Sequence, residues 1–158
     1  MIHDVTQRAL RDFAARCRRL PPLANRKAGL HALFVGPAGA GKQRAVDGLA
    51  DRLGLDVQRV KLGAIQKKYE AGTERRLAKM LAQAEHKAVV LLFDEADALF
   101  GKRLDDDGAD ESSGKAVAEF LVRRLGFYRG VAVVTTDLST DISSELRRRM
   151  DCVIDFHA

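Results

Sequence analysis

The sequence predicts an α/β fold in which a five-stranded parallel sheet lies between layers of helices. Three observations carry that reading. Five short apolar segments, at residues 32–35, 57–62, 89–93, 131–136 and 152–156, are each bounded by turn or helix signals. Their hydrophobicity is continuous rather than alternating, as expected of strands buried on both faces. Helical patterns fill the intervals, and such alternation builds a parallel sheet covered on both sides.

The elements follow in order. Residues 4–20 place Val5, Ala9, Phe13 and Cys17 four apart, a helical stripe flanked by arginines and ended by Pro21-Pro22. The strand at 32–35 runs into a Gly-rich loop, and a helix over 43–53 leaves it with Val46, Leu49, Ala50 and Leu53 on one face. A strand at 57–62 precedes a helix over 73–84 carrying Leu77, Met80, Leu81 and Ala84. After the strand at 89–93, residues 104–114 are rich in Asp, Gly and Ser and predict a mobile loop. A helix over 115–125 then repeats Val117, Phe120, Leu121 and Leu125 before the last two strands. With 158 residues the chain suits one domain: an N-terminal helix and linker over 1–28 and a core over 29–158.

Composition removes several classes of function. The longest apolar run, at 88–93, is far short of a membrane span, and the N-terminus lacks an apolar signal core, which points to a cytoplasmic protein without a membrane partner. Cys17 and Cys152 are the only cysteines and read as reduced thiols. The four histidines show no metal-ligand spacing. A net charge of +5 is spread over several helices rather than gathered into a basic stripe with aromatics, so it does not support nucleic-acid binding.

Chemistry concentrates at strand ends. Gly36-Pro37-Ala38-Gly39-Ala40-Gly41-Lys42 fits G-x-x-x-x-G-K between a strand and a helix. The glycines let consecutive N–H groups curl around one oxyanion, the helix dipole adds positive potential, and the Lys42 ammonium reaches outer phosphates. The three-layer α/β/α fold of P-loop NTPases follows from this loop in this setting. Where the pattern has Ser or Thr as a Mg²⁺ ligand, Gln43 stands. The third strand delivers Asp94-Glu95 beside the loop, at the edge where such sheets bind ligands. Asp94 is the candidate to hold Mg²⁺, with Gln43 beside it, and Glu95 the candidate to polarise an attacking water.

The segment Leu91-Leu92-Phe93-Asp94-Glu95-Ala96-Asp97-Ala98-Leu99-Phe100-Gly101-Lys102-Arg103 resembles the Walker B region of AAA+ ATPases, specifically the AAA branch. The resemblance runs from about Gly29 to Phe156. It implies that ATP and Mg²⁺ are the cofactors and that Asp94 and Glu95 serve metal and water. Lys68-Tyr69 with Thr73-Glu74 is similar to the pore-loop segment, where the aromatic grips a threaded protein; an ordinary half-buried tyrosine is the alternative. Asp137 stands where the family has a sensor Asn. Leu146-Arg147-Arg148-Arg149-Met150 resembles the arginine-finger segment, which assigns Arg148 and Arg149 to a neighbouring subunit's phosphates and implies a ring or dimer of like or unlike chains. The helical lid that follows the family's last core strand has no counterpart before His157-Ala158, so the core is expected without a C-terminal lid.

The expected function is Mg²⁺-dependent ATP hydrolysis coupled to remodelling of a protein partner. The alternative is a nucleotide-binding regulatory subunit with poor hydrolysis, to which Gln43, Asp137 and the missing lid point. Residues 94–97 spell D-E-A-D, but helicases with that signature need two such domains, which this length cannot hold. Two weaker readings remain, a DNA-associated AAA+ protein, since clamp-loader relatives carry similar acids, and a small-molecule kinase.

Overall fold

In a parallel sheet successive side chains go to opposite faces, so each strand must supply apolar residues of both parities if both faces are covered. β1 (Leu30–Val35) does so, and all six of its residues are buried. Leu33 and Val35 join Leu91, Phe93, Ala132 and Val134 on one face, while Ala32 and Phe34 join Val90, Leu92, Val131 and Val133 on the other. The computed structural model describes residues 3–100, 111–137 and 142–156.

Five strands form one parallel sheet in the order β2-β3-β4-β1-β5. β2 is Asp56–Lys61, β3 Val89–Asp94, β4 Val131–Thr136 and β5 Cys152–Asp155. On one face, α1 (Asp4–Arg18) and α2 (Lys42–Leu53) bury Phe13, Ala14, Cys17, Val46 and Leu49. The other face carries α3 (Leu62–Lys67), α4 (Thr73–Ala84), α5 (Asp97–Phe100) and α6 (Glu111–Leu125). A short α7 (Ser144–Arg148) leads into β5, and the Ser143 hydroxyl caps it by accepting from the Leu146 N–H. The fold is that of a three-layer α/β/α protein.

Three expectations are corrected. β2 and β5 lie at the sheet edges, and most of their residues are partly or fully exposed, so only the three inner strands are buried on both faces. The polar residues Gln58, Arg59 and Lys61 in β2 fit an edge that need not be covered. Leu62 opens α3 instead of ending β2, and α3, α5 and α7 were not foreseen because they are only four to six residues long. Of the expected mobile loop, residues 104–110 lie outside the described residues, whereas 111–114 are helical and open α6. The helix therefore includes four residues ahead of the expected start at 115.

Candidate functional site

β1 sits between β4 and β5, so the chain leaves its C-terminal end at the point where strand order reverses, the place where open α/β sheets bind ligands. The backbone there is built from glycine. Gly39 and Gly41 hold φ of 83° and 99°, left-handed values that other residues adopt at a cost, and a Cβ on Gly36 would run into the Phe156 carbonyl. Gly41 ends the loop and Lys42 begins α2, whose first amides have no partner within the helix. These residues open onto a cavity of about 770 Å³, lined by residues 38–44, by Asp94, Thr135 and Asp137 at the strand ends, and by Gln7 of α1.

Lys42 is buried, with 8% of its surface exposed. Its ammonium donates to the Thr136 carbonyl at 3.0 Å, to Asp137 Oδ1 at 2.7 Å and to the Gly36 carbonyl. All three of its protons are thereby engaged. Asp137 is exposed, so an incoming anion can compete for the ammonium from the solvent side.

The pleat explains what surrounds Asp94. Arg59 pairs in register with Leu92, which places it diagonally behind Asp94 on the α2 face of the sheet. Thr135 follows Val134, the partner of Phe93, and so stands beside Asp94 on that face. Asp94 Oδ1 accepts from the Thr135 hydroxyl at 2.6 Å and from the Glu95 N–H at 3.0 Å. Oδ2 accepts from Gln43 Nε2 at 3.0 Å, from Arg59 Nε at 3.1 Å and from Arg59 Nη2. Burial raises the Asp94 pKa, but the Thr135 hydroxyl and the Arg59 guanidinium outweigh it and hold the carboxyl below its usual value.

As a Mg²⁺ holder the expected pair of Asp94 and Gln43 does not fit this arrangement. A carboxylate has about four lone-pair directions, and Asp94 accepts five hydrogen bonds. Gln43 turns a donor toward it, and the Arg59 guanidinium sets a positive charge where a dication would have to approach.

Glu95 departs from the expected cluster. It follows the strand at the opposite parity, with a left-handed φ of 63°, and its carboxylate lies over Gly63 in the first turn of α3. A non-glycine residue held there is strained, a cost of order 1–3 kcal/mol that recurs at functional sites. Arg148 and Arg149 are exposed and lie at the opposite edge of the sheet. The Arg149 guanidinium packs over Gly126, and the neighbouring Asp151 exchanges hydrogen bonds with the His31 backbone near the start of β1. That edge is about 16 Å from the loop, five residues of strand away. Tyr69 donates its phenol to Glu74 Oε1 at 3.0 Å and packs partly against the α3–α6 core.

The structure thus gathers Lys42, Gln43, Asp94 and Asp137 around residues 36–41, and sets Glu95, Arg148 and Arg149 apart. Arg59, Thr135 and Gln7 were not singled out from the sequence. Finding Arg59 would have required the β2–β3 register, because nothing local marks an arginine in an edge strand.

A phosphate-type Gly-Lys loop at the switch point of a five-stranded parallel sheet defines the class as a P-loop NTPase fold. Residues 32–158 match the family described as ATPase family associated with various cellular activities (AAA), and the chain belongs to that family. It is 33% identical over 125 residues to an uncharacterised AAA family ATPase, y4kL, of Sinorhizobium fredii (strain NBRC 101917 / NGR234), covering 78% of this chain and 38% of that protein. It is 34% identical over 97 residues to the 26S proteasome regulatory subunit 7 homolog B of Arabidopsis thaliana, covering 60% of this chain and 21% of that protein. The chain therefore spans well under half the length of both relatives. Among the described residues no helix is long and apolar enough to cross a membrane.

Proposed function

We propose that this chain is an ATP-binding AAA domain that acts on a protein partner chiefly through nucleotide occupancy, with slow turnover. The observation that carries the proposal is the buried Lys42 beneath the glycine loop, at the mouth of a cavity large enough for a nucleotide. Backbone amides and the ammonium supply the anion site, and the Asp94, Thr135 and Asp137 side chains form its far wall. Slow turnover is supported by the engagement of Asp94 with Arg59 and by the direction of Glu95, away from the cavity and over Gly63. Assembly is supported by the exposure of Arg148 and Arg149 at the far edge, a position open to a neighbouring subunit's phosphates in a ring or dimer. The name of the Arabidopsis relative, a proteasome regulatory subunit, agrees with a protein partner.

A second reading keeps Mg²⁺-dependent hydrolysis as the driver of remodelling, and the Asp94-Glu95 pair with the two arginines favours it. ATP binding and phosphate release measured on the chain, on Lys42→Ala and on Glu95→Gln separate the two. The expected result is ATP binding that Lys42→Ala weakens at least tenfold, with phosphate release close to that of Glu95→Gln. Release far above that variant, rising steeply with protein concentration, would establish the second reading. Undiminished binding by Lys42→Ala would sink both.

A further inference from the structure

Two cationic groups serve the carboxylates of this site, and only one of them belongs to the expected machinery. Lys42 serves the loop. Arg59 comes from an edge strand, yet both its Nε and Nη2 donate to the same oxygen of Asp94, whose side chain is 13% exposed. Gln43 adds a third donor to that oxygen from the first turn of α2. On the other side Thr135 and the Glu95 N–H fill Oδ1. The carboxylate therefore has its charge balanced and its lone pairs used by the protein alone. The guanidinium is planar, always charged, and suited to hold a carboxylate with one side and phosphate oxygens with another. Arg44, which lines the cavity, adds positive charge on the α2 side.

We propose that Arg59, with Gln43, takes the electrostatic place of a divalent cation at Asp94, so that this chain binds the metal-free nucleoside triphosphate as well as its Mg²⁺ complex. The inference rests on the nucleotide-binding reading above and assigns Arg59 as a positioning residue of that site. Three features supply it: a register that sets Arg59 diagonally to Asp94, an amide donor at position 43, and a hydroxyl donor at Thr135. Metal-free triphosphate carries more negative charge than its Mg²⁺ complex; Lys42 and Arg44 line the cavity that would receive it, and Arg59 balances Asp94 behind them.

Calorimetric titration of the chain with ATP, once in EDTA and once in excess Mg²⁺, tests the proposal. The two dissociation constants are expected to agree within about threefold. Binding at least tenfold weaker in EDTA overturns the proposal while leaving the nucleotide reading intact. Absence of ATP binding in both buffers overturns the nucleotide reading itself. In the double variant Arg59→Met/Gln43→Thr, a circular dichroism melt first checks the fold. EDTA is then expected to weaken binding at least tenfold relative to Mg²⁺. A folded double variant that stays indifferent to the metal shows that Arg59 and Gln43 are not the substitute, and overturns the proposal. If the double variant does not fold, the wild-type pair of titrations decides alone.

Discussion

Glu95 shows how one backbone angle divides a motif. Asp94 and Glu95 are adjacent, yet the pleat and the left-handed φ at 95 send one carboxylate to the α2 face and the other over Gly63. The contact at Gly63 is with the far end of a flexible side chain, so a methyl group there would displace the carboxylate at little cost. Gly63→Ala is expected to hold or raise stability by about 0.5 kcal/mol, since alanine restricts the unfolded chain, as read from the urea midpoint. Phosphate release should rise at least about threefold, a small part of the roughly 10²–10⁴ that a positioned base contributes. Release unchanged from that of the unmodified chain would show that the contact with Gly63 does not hold Glu95 back. At this scale the sequence was legible for Lys42 and Asp94, whose neighbours in the chain announce them. It was silent on Arg59 and on the direction of Glu95, because both depend on strand register and on a single φ angle.

Among the elements, α1 is the one that joins the chain's ends to the site. Its stripe of Phe13, Ala14 and Cys17 packs against Phe34, Ile154 and Phe156, and the Thr6 hydroxyl donates to the Asp155 carbonyl at 2.7 Å. Gln7, one residue on, borders the nucleotide cavity. The apolar stripe made α1 legible as a helix, but its docking against β5 was not, since no pattern in residues 4–18 names a partner so distant. Phe13, 1% exposed, is the anchor. Phe13→Ala is expected to cost about 3–5 kcal/mol through lost contacts and a residual cavity, measured by urea unfolding. A loss under about 1 kcal/mol would mean that α1 contributes little to the fold.

For the molecule as a whole, stability should depend on pH through His31. The ring is buried and its Nε2 donates to the Tyr128 carbonyl at 3.1 Å. Burial lowers its pKa below the ordinary 6.5, and Asp151 with the Tyr128 and Arg149 carbonyls only partly offsets this. A base with a depressed folded pKa binds more protons when unfolded. Its contribution is therefore fully present above about pH 6.5 and is lost as pH falls toward the folded value. The urea midpoint is expected to drop between pH 7.5 and 5.5, and His31→Gln, which retains a donor, should flatten that drop. An equal drop in the variant would place the dependence elsewhere. The overall architecture was the most legible level, because five apolar segments separated by amphipathic helices admit few arrangements. The order of the strands was not, since any of the five could have been an edge on apolar content alone, apart from the polar β2.

That strand order has a consequence for synthesis. Of the five strands, β1 leaves the ribosome first, and its two neighbours in the finished sheet, β4 and β5, leave after the others. Until residue 131 and beyond have emerged, the apolar residues 30–35 have both hydrogen-bonding edges open. Folding is then gated by long-range closure, which is slow and leaves a sticky central strand exposed. A nascent chain halted before β4 should therefore bind holdase chaperones, and release from them should coincide with the arrival of β4 and β5.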